Sequence, residues 1–179
     1  SRQGLGAGCT RQQQAQVESA ALEVTSQLIL GLSSQLQLSQ LEEGNHGNGR
    51  LSVGLGASAS RAPVPVLSNK ENTLVVAGKL GRGRVVIFSG QEFLGSQTRS
   101  TLVDNPDIAR LLQNAVVWSG GSEQAKALVA NERVAAALDD GSNIETTVVD
   151  FDPPNGLFLR ADWSASAINQ YDVLVIQIN

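Results

Sequence analysis

The stretch NTLVVAGKLGRGRVVIFSG, residues 72–90, contains two β-branched apolar runs joined by a connection rich in glycine. The first run covers residues 72–78 and the second covers residues 84–90, and both have the length and composition of a strand. The connection between them contains Gly81 and Gly83, which we expect to adopt positive φ angles in a turn. The stretch therefore predicts an antiparallel β-hairpin.

The same connection carries three cations, Lys79, Arg82 and Arg84, so a phosphate-binding loop is one hypothesis for it. It does not match GxxxxGK[ST], and its GxG lacks the last glycine of GxGxxG and precedes a strand rather than a helix. Phosphate cradling relies on backbone N–H groups at a helix N-terminus, which this position does not supply. We interpret the cations as the exposed tip of a hairpin and as candidate members of a functional surface, with an anion site as the alternative.

Downstream, DNPDIARLLQNAVVWSGG, residues 104–121, predicts the clearest helix in the chain. Asn105 is a suitable N-cap, and Pro106 fits the first turn, where its missing N–H is not needed. Gly120 and Gly121 predict the end of the helix. One apolar face is formed by Ile108, Leu111, Leu112, Ala115 and Val116.

Upstream, residues 1–10 are predicted to be a flexible tail, and residues 11–30 place apolar side chains at helical spacing. Alternating apolar residues in 35–41 and 50–56 predict strands with one buried face. The two prolines of APVPVL, residues 62–67, predict an edge strand, because proline cannot donate to a sheet ladder. We assign residues 11–121 to one unit, made of a helix, strands, the hairpin and a capping helix.

After this unit, residues 122–179 show a β-α-β-α-β order, which implies parallel pairing through crossover connections. The predicted elements are strand 125–131, helix 132–141, strand 143–151, a helical turn at 164–170 and strand 171–179. The apolar run 173–176 is typical of a strand covered on both faces. The fold class is therefore α/β: a β-hairpin plus helix unit followed by the first β-α-β-α-β part of a parallel Rossmann-like sheet. Since the sequence stops at Asn179, we expect a longer polypeptide or another chain to complete the sheet.

The hairpin turn and the following helix also resemble a known family. The matching residues are Gly81, Gly83, Arg84, Val85, Val86, Phe93, Leu94, Leu112, Asn114, Ala115, Val116 and Trp118. Residues 62–179 resemble the amino-terminal region of the TRP-channel-associated factors and related proteins that carry an M60-like metallopeptidase domain. This resemblance implies a class I glutamine-amidotransferase-like fold.

This sequence differs from the related proteins in two features that catalysis requires. Active amidotransferases place a cysteine nucleophile at a strand-to-helix turn, whereas Cys9, the only cysteine, lies in the predicted tail. The HExxH zinc motif of the metallopeptidase domain is also missing from these 179 residues. Neither chemistry is therefore carried over to this sequence.

Composition narrows the classes of partner. A net charge of −4 argues against nucleic acid, since phosphate binding needs clustered cations. No apolar run approaches the roughly 20 residues that span a membrane. The single cysteine allows no internal disulfide. A chain without methionine that starts at Ser1 suggests a processed product or an excised fragment, and processing would weakly favour secretion.

Few of the remaining polar residues suggest another functional site. Gln91 and Glu92 follow the second hairpin strand, at the carboxyl end where α/β folds often place functional groups. His46 lies among Gly and Asn and is interpreted as a solvated loop residue. Asp150 and Asp152 suggest a cation site but lack the spacing of an EF-hand. We predict no cofactor and no resident metal.

The leading hypothesis is a non-catalytic structural or interaction module, either a homo-oligomer or a protein that docks a partner. The glutamine-rich amino end is consistent with close contact between chains. The first alternative is the amino-terminal accessory region of a larger secreted M60-like metallopeptidase. A further alternative is a degenerate hydrolase with a site near Gln91 and Glu92.

Overall fold

The computed structural model describes residues 11–32, 63–68, 73–89, 105–129, 132–149 and 165–175. The chain is a mixed α/β protein with one three-stranded antiparallel sheet and one three-stranded parallel sheet. In chain order, its helices and strands are α1 (Arg11–Leu28), β1 (Val64–Ser68), β2 (Thr73–Leu80), β3 (Gly83–Phe88), α2 (Pro106–Gly120), β4 (Lys126–Val129), α3 (Glu132–Asp139), β5 (Glu145–Val148), α4 (Ala165–Ile168) and β6 (Val173–Val175).

The predicted hairpin is confirmed, with a shorter turn than the sequence suggested. β2 and β3 pair antiparallel from Val75 opposite Phe88 to Leu80 opposite Gly83, so only Gly81 and Arg82 remain in the turn. Gly81 has φ +61, the arrangement of a type II′ turn with glycine at its first central position. The prediction of a positive φ at Gly83 is wrong, because the β3 ladder already includes this residue.

Gly81→Ala is expected to lower the free energy of unfolding by about 1 kcal/mol. The added methyl group meets nothing within 4 Å, so the cost comes from the positive φ alone. Gly83→Ala is the matched control, since its Cβ would lie 3.5 Å from the Leu80 carbonyl oxygen, an ordinary contact, without positive φ. Urea denaturation of the two variants checks this, and equal losses would contradict it.

Among the described strands, the antiparallel sheet has the order β1-β2-β3, so the proline-containing segment is an edge strand there, as predicted. β1 pairs antiparallel with β2, and the register shifts between Pro65 and Leu67 and again at Ser68. Proline and irregular pairing both make an edge a poor template for further strands. The opposite edge, β3, contains no proline.

Helix α2 has the predicted ends. The side-chain oxygen of Asn105 accepts a hydrogen bond from the backbone N–H of Asp107 at 2.9 Å, and Pro106 is the first helical residue. Gly121 adopts φ 73 and donates its N–H to the Val117 carbonyl at 2.8 Å. Local sequence therefore fixes both boundaries of α2.

The parallel sheet has the order β5-β4-β6, with α3 between β4 and β5 in the chain. β4 is the central strand, and its Ala127, Leu128 and Val129 are all buried. The expectation that 173–176 forms a strand covered on both faces is not met for β6, where Leu174 is 41% exposed. Val173 and Val175 pack against the core on one face of β6, so the alternation of the strand directs Leu174 to the other face.

One hydrophobic cluster includes residues of both sheets and of α1, α2 and α3. Its largest fully buried side chains are Leu28, Ile108, Leu111, Leu112, Leu138, Val75, Val129 and Val134. Helix α2 contributes three of these, so it is the central packing element between the two sheets. The predicted boundary between 11–121 and 122–179 stays a prediction.

Several predicted features lie outside the described residues: the tail 1–10, the strands 35–41 and 50–56, Gln91, Glu92, Cys9, His46, Asp150 and Asp152. Among the helices that are described, none has both the length and the apolar character needed to cross a membrane.

Candidate interaction surface

The three predicted cations lie on the β2–β3 hairpin. Lys79 in β2 is the register partner of Arg84 in β3, and Arg82 lies in the turn between the strands. Lys79 and Arg82 are exposed. The hairpin therefore presents a cationic tip, as the sequence indicated.

Arg84 differs from the other two cations because it contacts α2. Its Nη1 donates a hydrogen bond to the Trp118 carbonyl at 2.5 Å, and its Cζ lies 5.6 Å from the centroid of the Trp118 ring. The guanidinium thus interacts with a carbonyl in the last turn of a helix, where the helix dipole favours a positive charge, and with an aromatic face. Through these two interactions, Arg84 stabilises the packing of β3 against α2.

Arg84→Gln is expected to lower the free energy of unfolding by about 1 kcal/mol, because it removes the charge-assisted hydrogen bond and the contact with the Trp118 ring. Arg82→Gln is the matched control, since Arg82 lies exposed in the turn. Thermal unfolding followed by circular dichroism measures both variants. Similar midpoints for the two would show that the contact with Trp118 is not stabilising.

The outer face of the same hairpin is apolar. Leu80, Val85 and Ile87 are 76%, 38% and 45% exposed, respectively. Side chains alternate along a strand, so these three point away from the face on which Val86 and Phe88 pack against the core. Lys79, the register partner of Arg84, lies near the same tip but on the opposite face of the hairpin. We call the exposed end of the hairpin, with Lys79, Leu80, Arg82, Val85 and Ile87, the hairpin surface.

A second surface lies at the outer edge of the parallel sheet. Val148 in β5 is 40% exposed, and the acidic Asp139, Asp140 and Glu145 are exposed beside it in sequence. Glu145 forms an ion pair with Lys126 at 3.4 Å, and Asp139 accepts a hydrogen bond from the Thr146 hydroxyl at 2.9 Å. We call Asp139, Asp140, Glu145 and Val148 the β5 surface.

Two adjacent amides on α2 join helices rather than forming a surface. Gln113, which is 5% exposed, donates from Nε2 to the carbonyls of Ala137 and Asp140 at the end of α3, both at 2.8 Å. Asn114 donates from Nδ2 to the carbonyls of Leu28 and Leu30 at the end of α1, also at 2.8 Å. Each amide satisfies carbonyls that a helix end leaves without an intrahelical partner.

Sequence reasoning identified the cations but missed the apolar half of the hairpin surface. The run of Val85 and Ile87 was visible in the sequence, yet the face left open depends on where α2 packs. Among the described residues, no three His, Cys, Asp or Glu side chains are grouped so that they could hold a metal ion.

Comparison of the chain with protein-family models, curated proteins and solved structures finds no match in any of the three. The resemblance of residues 62–179 to the TRP-channel-associated factors therefore stays a prediction.

Proposed function

We propose that this chain is a non-catalytic interaction module that associates with further copies of itself. The observation that supports the proposal is the hairpin surface, where three exposed apolar side chains share one face of an edge hairpin whose tip also carries the exposed Lys79 and Arg82. Scattered apolar residues are ordinary on a protein surface, whereas a contiguous group on a strand is typical of an interface.

The two edges of the antiparallel sheet differ in a way that supports this role. β1 carries Pro65 and an irregular register, which are common means of preventing further strand pairing. β3 has neither feature, and the charge of Arg84 is directed toward Trp118. An edge strand of this kind is a template for pairing with another chain.

The finer fold assignment is part of the same proposal. The order β5-β4-β6, with its parallel pairs and with α3 between β4 and β5, supports a Rossmann-like arrangement of the second unit. One alternative is that the hairpin surface binds a different protein. A second alternative, supported by the family resemblance, is that the chain is the amino-terminal accessory region of a larger secreted M60-like metallopeptidase.

Light scattering on a sizing column, over a range of concentrations, tests the proposal. We expect an average mass above that of one chain, and we expect Ile87→Lys to reduce it by placing a charge in the hairpin surface. Leu22→Lys is the matched control, because Leu22 on α1 is 73% exposed and lies outside this surface. A wild-type chain that stays monomeric at every concentration would overturn self-association.

A further inference from the structure

The charges of the described residues are divided between the two sheets. Residues 63–68 and 73–89, which form the antiparallel sheet, contain three basic and no acidic side chains. Residues 105–129, 132–149 and 165–175 contain seven acidic and three basic side chains, a net charge of −4. Helix α1, which contacts β1, adds two acidic residues and one basic residue. Among the described residues, the strands of the antiparallel sheet are therefore cationic and the part of the chain from residue 105 onward is anionic.

Each of these two charged parts also has an edge strand with exposed apolar side chains. No described strand lies beyond β3 in the antiparallel sheet or beyond β5 in the parallel sheet. Ile87 in β3 is 45% exposed and Val148 in β5 is 40% exposed. The two edges thus combine apolar character with charge of opposite sign.

We propose that the self-association proposed above is head-to-tail, with β3 of one copy pairing with β5 of the next. This inference rests on the proposed function and adds the identity of the two contacting edges. The occupant of the hairpin surface is then the β5 surface of a second copy.

The positions of charges along the two strands favour a parallel pair. Arg82 lies just before the start of β3, while Asp140 and Glu145 lie before and at the start of β5. Parallel alignment of the strands brings these opposite charges together and places Ile87 beside Val148. An antiparallel alignment that pairs Ile87 with Val148 would instead place Arg82 and Glu145 at opposite ends of the contact.

Two interactions within one chain change how much charge each surface offers to the second copy. Lys126 pairs with Glu145 and reduces the negative charge of the β5 surface, but Asp139 and Asp140 keep that surface anionic. Arg84 contacts Trp118, so Arg82 in the turn and Lys79 near the end of β2 are the cations left to interact with the second copy. The resulting attraction governs the rate and register of association more than its strength.

The two surfaces are different, so the contact is heterologous. After one pairing, the first copy still presents β5 and the second still presents β3. Such contacts form a ring when the rotation closes and an open filament when it does not. A two-fold dimer that buries the same surface on both copies is not expected.

Complementary charge reversal tests the inference. Lys79→Glu with Arg82→Glu makes the hairpin surface acidic, and Asp140→Lys with Glu145→Lys makes the β5 surface basic. Each double variant alone repels its own copies, and we expect the concentration needed for association to rise at least about tenfold. An equimolar mixture restores opposite charges at every contact, so association should return. Asp139 is left unchanged because it accepts the Thr146 hydroxyl.

If a charge reversal prevents folding, a cross-linking experiment still tests the contact between β3 and β5. In a Cys9→Ser background, Ile87→Cys and Val148→Cys chains are mixed and oxidised, and a disulfide-linked pair is expected only in the mixture. Neighbouring strands bring paired Cα atoms into the range that a disulfide spans. Leu22→Cys mixed with Val148→Cys is the control.

The outcomes separate the two proposals. A wild-type chain that never associates overturns both self-association and the head-to-tail contact. A wild-type chain that associates, but is unaffected by either charge reversal and cross-links no better through Ile87→Cys than through Leu22→Cys, overturns the head-to-tail contact alone.

Discussion

Leu28→Ala is expected to lower the free energy of unfolding by about 3 to 5 kcal/mol. Leu28 is 0% exposed and belongs to the cluster that both sheets share, so its truncation leaves a cavity as well as losing buried apolar surface. Urea denaturation followed by tryptophan fluorescence measures the change, since Trp118 is buried in the same cluster.

The matched control for this variant is Leu22→Ala. Leu22 lies on the same helix but is 73% exposed, so its truncation should change the free energy of unfolding by less than about 0.5 kcal/mol. The comparison holds helix propensity constant because the same substitution is made twice in one helix. If Leu28→Ala were as mild as Leu22→Ala, α1 would not be part of the cooperatively folded core.

Gln113→Ala is expected to lower the free energy of unfolding by about 2 to 4 kcal/mol. The substitution removes two hydrogen bonds to the carbonyls of Ala137 and Asp140 and leaves space in a buried position. The end of α3 loses its attachment to α2. Thermal unfolding and hydrogen exchange of the α3 amides would report this loss.

Gln113→Leu separates the lost hydrogen bonds from the cavity. Leucine fills most of the space, and it also removes the Gln113 Oε1 atom, which is buried without a hydrogen-bond partner among the protein atoms. An unpaired buried acceptor costs about 1 to 3 kcal/mol, so its removal offsets part of the loss in both variants, whereas only the alanine variant also leaves a cavity. We expect the leucine variant to be the more stable of the two. The opposite order would mean that leucine is strained at this position and that its misfit costs more than the cavity left by alanine.

Local signals in the sequence predicted the elements that have local causes. Asn105 and Pro106 mark the start of α2, and two β-branched runs around a glycine-rich connection mark the hairpin. The order of strands and helices after residue 122 also follows from apolar patterning. These features depend on residues within a few positions of one another.

The contacts that organise the interior could not be predicted in the same way. Arg84 contacts a carbonyl 34 residues away, and Gln113 contacts carbonyls 24 and 27 residues away. From the sequence, Arg84 is one of three similar cations at a turn. Only the docking of α2 across β3 distinguishes it from Lys79 and Arg82.

In the hairpin turn, strand pairing determines the backbone conformation of Gly83, although glycine by itself suits a positive φ. Both Gly81 and Gly83 suit a positive φ, but the β3 ladder begins at Gly83 and makes that residue extended. The number of turn residues depends on the register, which the glycines alone do not determine. The exposed apolar face of the hairpin is likewise set by packing, since either face of an isolated hairpin could have been buried.

The hydrogen bonds from Asn114 to α1 impose an order on folding during synthesis. The amide group and the Leu28 carbonyl that accepts from it are 86 residues apart in the chain. A ribosome adding 5 to 20 residues per second needs roughly 4 to 17 seconds to make that interval. Throughout this time α1 has left the ribosome without the helix against which it packs. A nascent chain therefore carries α1 for seconds without the helix that satisfies its last carbonyls.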